Sequence, residues 1–363
     1  MDCFFVLGTR PEIVKLAPII HECERRDVSS YILHTGQHYS QNMSSAIFED
    51  LELRPPDRDL SIGSGTHAEQ TAYALLGIEK ELVSVRPKVV VAQGDTNAVL
   101  SAALAAIKLG IRLAHVEAGL RSYDRRMPEE HNRRLTDHAS DYLFAPTEHS
   151  ARILREEKVW GEVFVTGNTV IDAIEAALPR ARKKSRILSD LDLKGRDFVL
   201  LTLHRAENVD DRSVLNGLIR GIMSLDREVV FAAHPRTVSR LKEFGLMSTI
   251  ESAGTIRVIP PPSYLDFLVL LQACRFVLTD SGGIQEEATA PSVNKSVFVL
   301  RTSTERPEAV ESGHASVVGV DPASFPQRIL EDLAHEKTCS RRCPFGDGRA
   351  SRTILDILQR RLG

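Results

Sequence analysis

The sequence predicts an α/β protein built from two doubly wound domains of similar size, and three observations carry that expectation. The chain has 363 residues, more than one ordinary hydrophobic core accommodates. Short runs rich in Val, Ile, Leu and Phe recur in both halves, apolar throughout rather than at alternate positions. That is the pattern of strands covered on both faces. Helical-period segments, such as Thr96–Leu109 and Pro128–Ser140, lie between them, and such alternation builds parallel sheets flanked by helices.

In the first half the expected strands are Cys3–Leu7, Tyr31–Leu33, Val89–Ala92, Leu113–Val116, Tyr142–Ala145 and Val163–Val165. In the second they are Phe198–Leu201, Val229–Ala233, Ile256–Ile259, Phe276–Leu278, Val297–Leu300 and Ser316–Val320. The boundary falls near residues 170–195, where Arg180–Lys184 make a basic, solvated stretch. The N-terminal domain is expected over residues 1–175 and the C-terminal domain over 176–345. The tail 346–363 carries a helix over Ser351–Leu362 whose docking domain the sequence leaves open.

The formal net charge of -3 argues against nucleic acid as a partner. The cysteines Cys3, Cys23, Cys274, Cys339 and Cys343 are scattered. Only the last two are close, so free thiols in a reducing compartment are expected rather than a zinc site. The first apolar run is too short for a secretion signal, and no run reaches membrane-spanning length. A cytoplasmic location without a membrane partner is the expectation.

Polar residues cluster directly after the apolar runs. The first half shows Gly8-Thr9-Arg10, Gly36-Gln37-His38, Gly94-Asp95-Thr96, Glu117 and Gly167-Asn168. The second shows His204-Arg205, His234-Pro235-Arg236, Asp280-Ser281-Gly282-Gly283 and Arg301. Ligands of open parallel sheets bind beyond the carboxyl ends of the strands. Two such edges facing one another would make one polar cleft.

Each motif also has a plain structural role. Thr9 and Glu12 form a capping box with Pro11 in the first turn, which explains all three residues. It leaves Arg10 unexplained, so Arg10 and Lys15 are candidates for an anionic substrate. Ser281-Gly282-Gly283 opens a helix with free N–H groups suited to a phosphate. Glu286 and Glu287 either favour that helix dipole or accept from ribose hydroxyls. Neither a G-x-G-x-x-G fingerprint nor a Walker A loop occurs. Asp95, Glu117, Glu129 and His204 are the acid–base candidates. Asp95 has a rival role as helix cap, and Glu129 and Glu130 as i+4 partners of Arg133 and Arg134. His204 and, more so, His234 have a rival role as satisfied structural histidines. By composition, Arg301–Glu308 is a solvated charged loop, with Arg306 placed to meet an anionic or hydroxyl-rich ligand.

The ordered strings GTRPEIVKLAP, QGDTNAVLSAALAA, HVEAGLRS, PEEHNRRLTDHASD, TGNTVIDA, LTLHRAENVD, TDSGGIQEEA and TERPEAV resemble the non-hydrolysing UDP-N-acetylglucosamine 2-epimerases. The resemblance runs from Gly8 to Val310 and implies two Rossmann-like domains with a cleft between them, in the glycosyltransferase-B arrangement. It implies Arg10, Lys15, Asp95, Glu117, Glu129 and His204 around the sugar and diphosphate, with Arg133 supporting the Glu129 helix. It further implies His234, Ser281, Gly282, Gly283 and Glu287 on the UDP, Arg306 by the substrate and Phe267 near the uracil. Gln37 and His38 match a second, regulatory UDP-sugar site of bacterial relatives. The family route eliminates UDP across C1–C2 to 2-acetamidoglucal and re-adds it, needing no redox or metal cofactor. A homodimer is expected from the family. A hydrolysing epimerase, a glycosyltransferase on the same architecture and a catalytically silent UDP-sugar sensor are the rivals. The chain departs from the family pattern at Asn294-Lys295-Ser296, where relatives read Gly-Lys-Pro; Asn can still take the left-handed conformation.

Overall fold

The computed structural model describes residues 1–36, 41–335 and 341–363; the expected regulatory residues Gln37 and His38 lie outside them. The chain divides into two compact units, one of Met1–Ala173 with Phe345–Gly363 and one of Ile174–Pro344.

The first unit carries seven strands: β1 Cys3–Leu7, β2 Ser30–His34, β3 Arg58–Asp59, β4 Val89–Gln93, β5 Arg112–Val116, β6 Tyr142–Ala145 and β7 Glu162–Val165. They form one parallel sheet in the order β3-β2-β1-β4-β5-β6-β7. The order reverses between β1 and β4, and the crevice outside such a reversal is where open sheets place ligands. β1 and β4 are buried along their whole length, the consequence of helices on both faces.

The second unit has six strands: β8 Val199–Thr202, β9 Val229–Ala232, β10 Ile256–Ile259, β11 Val277–Thr279, β12 Val297–Val299 and β13 Ala315–Val317. Their order is β10-β9-β8-β11-β12-β13, again parallel, with the reversal between β8 and β11. Phe231, Phe276, Phe298 and Phe325 join its core of Leu, Ile and Val.

Where expected and observed strands differ, the chemistry is local. β3 has two exposed polar residues and no apolar run, so no periodicity announces it. β8 and β11 each extend to a threonine, because Thr202 Oγ1 and Thr279 Oγ1 bond each other at 2.7 Å inside the sheet. β13 stops at Val317, shortly before Gly319, whose φ of 84° is outside strand geometry.

The C-terminal helix, Ala350–Leu362, belongs to the first unit. The buried Asp172 carboxylate accepts from Ala350 N (3.2 Å), Ser351 N (2.8 Å) and Ser351 Oγ (2.6 Å), satisfying amides that the helix leaves open. Asn294 sits at φ 46°, the left-handed value that the family's glycine would supply.

Candidate active site

In the first unit Arg10, Lys15, Asp95 and Glu117 lie just beyond the carboxyl ends of β1, β4 and β5. The helix Arg10–Arg25 starts right after β1, with Thr9 as cap. Its first two turns face the sheet. Glu12 accepts from Thr9 N (2.7 Å), from Gly8 N and from the Thr96 hydroxyl, so it ties the turn after β1 to the turn after β4. Burial pushes the Glu12 carboxyl up to about 7, and Asp95 adds to the push, although the Thr96, Thr9 and Gly8 hydrogen bonds pull the other way.

One turn further, Lys15 pairs with Glu117, and both side chains are buried. Glu117 also accepts from Gln93 Nε2 at 3.0 Å and Asn168 Nδ2 at 3.5 Å. Its φ is 68°, a conformation that non-glycine residues hold only when the surroundings impose it. The backbone thus turns at the end of β5 so that this carboxylate meets the cation on the neighbouring helix. Gln93 Oε1, beside it, is buried and has no hydrogen-bond partner among the described residues.

Asp95 is not the helix cap. Thr96 takes that role for Asn97–Lys108, leaving the Asp95 carboxylate to Arg133, whose Nε lies at 3.1 Å. Arg133 also reaches Glu130 at 3.2 Å, and Glu130 accepts from Ser122 N (2.8 Å) and Oγ (2.9 Å). The expected i+4 pairs are therefore absent among the described residues: Arg133 goes to Asp95 and Glu130, and Arg134 to Glu157. Glu129, in the first turn of Pro128–Ala139, is half-buried and makes no hydrogen bond or ion pair with described residues. Arg133 supports Asp95 rather than Glu129 directly. Arg10 is half-buried at the head of its helix.

A largely buried chain of polar and charged side chains lies behind this group. His115 contacts Asp137 (2.7 Å) and the Gly94 carbonyl (2.8 Å); Arg121 pairs with Asp137 (2.7 Å) and Glu157 (2.7 Å). Burial opposes ionisation of Asp137, but His115 and Arg121 still hold its carboxyl below the usual range. The chain fixes the carbonyl that precedes Asp95.

In the second unit His204 stands just past β8, half-exposed, with Nδ1 at 3.0 Å from Asp280. Asp280 follows β11 and leads directly into Ser281-Gly282-Gly283. The helix opened by Ser281 has only six residues, Gly282–Glu287, so its dipole is small. Space remains at the turn: a Cβ on Gly283 would meet only Ser281 Oγ, at 3.9 Å.

The Arg301–Glu308 stretch is not a solvated loop. Arg306 is buried and pairs with the fully buried Glu286, while Arg301 donates to Glu305 at 2.8 Å. Burial would raise the Glu305 carboxyl, but Arg301, Arg205 and Arg306 hold it at about 2. Glu286 is committed to Arg306, and Glu287 is the half-buried carboxylate on this turn. The Arg306 guanidinium would lie 3.7 Å from a Cβ on Gly282, which brings it to the glycine turn.

His234 caps the helix Pro235–Glu243, its Nδ1 accepting from Arg236 N at 3.3 Å. Burial, helped by the charges of His204 and Arg236, lowers its basicity. Phe267 is half-buried on the helix Tyr264–Ala273.

Glu12, Gln93, His115 and Asp280 join the candidate site beyond the residues that sequence alone singles out. Glu12 and Asp280 both sit within one turn of such residues. Their sequence signal is position at a strand end.

The family model described as UDP-N-acetylglucosamine 2-epimerase matches residues 21–359. The UDP-N-acetylglucosamine 2-epimerase of Methanocaldococcus jannaschii is 46% identical over 365 residues, covering 99% of each chain. The crystal structure of that organism's enzyme, solved with UDP-GlcNAc and UDP, superposes with a TM-score of 0.90, covering 99% of this chain and 100% of that one. The Neisseria meningitidis enzyme bound to UDP-GlcNAc gives a TM-score of 0.89 at 32% identity, with 99% and 100% covered. On the match of fold, motifs and length together, the chain belongs to the UDP-N-acetylglucosamine 2-epimerase family.

Proposed function

We propose that this chain interconverts UDP-N-acetylglucosamine and UDP-N-acetylmannosamine by eliminating UDP and adding it back. The C2 proton is not beside a carbonyl, so direct removal leaves a carbanion without a sink. Elimination supplies one: a base takes the proton, its bonding pair forms the C1=C2 bond, and UDP leaves with the C1–O pair. The return step protonates C2 from the other face while a UDP oxygen attacks C1. Such a site needs acid–base groups on both faces of C2 and cations on the departing diphosphate.

The observation that carries the reading is the buried Lys15–Glu117 pair, with Glu117 held at φ 68° where a cap or dipole role has no use for it. Asp95 on Arg133 and the half-buried Glu129 provide the further carboxylates. His204 on Asp280 provides an imidazole in the second unit. Arg10 and the Ser281–Gly283 turn are assigned to the diphosphate, Glu287 to the ribose, Arg306, His234 and Phe267 to the rest of the nucleotide sugar. The resemblance of the surrounding motifs to those of the family, and the family model over residues 21–359, support these assignments. Incubation with UDP-N-acetylglucosamine tests the reading. A UDP-linked epimer is expected; free N-acetylmannosamine with UDP would establish the hydrolysing reaction instead.

A homodimer and a cytoplasmic location belong to the same proposal. Exposed Tyr73, Leu76 and Val83 on the helix His67–Val85, with Ile107 and Leu135 on the next two helices, give the first unit an apolar outer face suited to a second copy. Leu76→Glu is expected to yield monomers by light scattering. No helix among the described residues is long and apolar enough to cross a membrane.

A further inference from the structure

We propose that Asp280 is a positioning residue that fixes which nitrogen of His204 is presented to the substrate. The inference rests on the reading of His204 as an acid–base group and goes beyond it, because it specifies the tautomer and the residue that sets it.

Asp280 has no exposed surface. Its carboxylate accepts from the backbone N–H of His204 (3.1 Å), the backbone N–H of Arg205 (3.0 Å) and Asn208 Nδ2 (3.0 Å). Asn208, itself buried, also donates to the Leu300 carbonyl at 2.9 Å, which anchors the assembly to the end of β12. Within that cage the remaining neighbour is His204 Nδ1, 3.0 Å from Oδ1. Burial opposes ionisation of Asp280, yet His204, the Arg205 N–H and Asn208 keep its carboxyl below the ordinary range, so it stays an acceptor. A carboxylate oxygen 3.0 Å from Nδ1 repels a lone pair there and favours the hydrogen on that nitrogen. The neutral ring then holds its lone pair on Nε2, and Nε2 alone takes or gives the transferred proton. The His204 side chain is 43% exposed, so the ring is reachable while its partner is not.

The arrangement also links two tasks. Asp280 immediately precedes Ser281-Gly282-Gly283, and its acceptor bonds run to the segment after β8. The turn assigned to the diphosphate and the histidine assigned to proton transfer therefore share one buried carboxylate. Arg301 adds positive charge nearby without competing with Nδ1 for the Asp280 carboxylate: it pairs with Glu305 and Glu207.

The test is ¹⁵N-histidine NMR of the full-length protein, with the His204 signals identified from their loss in His204→Gln. Wild type is expected to show the Nδ1–H tautomer; an Nε2–H tautomer at neutral pH overturns the proposal without any variant. Asp280→Asn presents an amide that can donate to Nδ1 and so favour the opposite tautomer. Its expected kinetic signature is a kcat lower by roughly 10²–10⁴, the usual worth of a positioned acid or base, with KM changed less than about threefold. A KM effect with unchanged kcat would make Asp280 a nucleotide-turn residue only and refute the proposal. His204→Gln separates the two layers. If it turns over normally, the reading of His204 itself fails; if it is inactive while Asp280→Asn is active with an unchanged tautomer, only the Asp280 inference fails. Should Asp280→Asn not fold, the wild-type tautomer still decides.

Discussion

Replacing Lys15 with methionine keeps the length of the side chain and removes the cation that faces Glu117. Both side chains are more than nine-tenths buried, so the remaining carboxylate cannot recover its hydration. Gln93 at 3.0 Å and Asn168 at 3.5 Å stay as donors, but they supply no charge. Removing one partner of a buried pair costs roughly 3–5 kcal/mol, which for a domain of this size lowers Tm by roughly 6–20 °C. Glu117→Gln removes the carboxylate that faces the buried lysine instead and is expected to fall in the same range. The double variant Lys15→Met with Glu117→Gln leaves neither charge alone, so its Tm should return most of the way to wild type. Activity should not return, because Glu117 is assigned to chemistry. Calorimetry and turnover on the same four preparations complete the cycle. Single variants that melt within 2–3 °C of wild type, near the ordinary scatter of surface substitutions, would refute the buried-pair argument. A double variant that regains turnover would refute the catalytic assignment.

Other perturbations probe the neighbours of that pair. The Glu12 carboxyl is raised by burial, so the folded state binds its proton more tightly than the unfolded chain. Its contribution is complete below pH 4.5 and is lost as pH rises through about 7. The Tm difference between wild type and Glu12→Gln should therefore fall steadily from pH 4.5 to 7.5; a difference that does not vary with pH contradicts the assignment. Arg133→Ala strands the buried Glu130 and frees Asp95. Both Tm and kcat should drop, and Arg133→Lys should restore neither fully, since lysine lacks the fork that reaches two carboxylates. Glu129→Gln breaks no ion pair, so melting should stay within about 2 °C of wild type while kcat falls roughly 10²–10⁴-fold, the usual worth of a positioned acid or base; turnover within a fewfold would strike Glu129 from the site. Arg10→Ala should weaken substrate binding at least about tenfold, the effect of one lost charged hydrogen bond, and release glucal and UDP.

The strands were legible because parallel sheets favour uninterrupted apolar runs, and Val89–Ala92 or Val229–Ala233 admit few other readings. Polar residues at strand ends were legible for a related reason: Asp95, Glu117 and His204 interrupt apolar runs where a helix or core has no need of them. What sequence left hidden was pairing. Arg133 has acidic residues at three and four positions before it, and periodicity cannot reveal that Asp95, from a different strand end, takes its guanidinium. Glu286 and Glu287 are adjacent and alike in sequence; only the fold turns one into the core against Arg306. The two-residue β3 is held by the backbone of β2 and by polar contacts, Asp59 to His34 at 2.9 Å and Arg58 to Glu81 at 3.5 Å, and so leaves no hydrophobic trace.

The most direct test of the central claim is epimerisation in heavy water. Elimination and re-addition require the proton at C2 to leave and a new one to arrive from a solvent-exchanging group on the other face. UDP-N-acetylmannosamine formed from UDP-N-acetylglucosamine should therefore carry deuterium at C2, read by mass spectrometry and by loss of the C2 proton signal. An epimer that retains its original hydrogen at C2 would contradict the account.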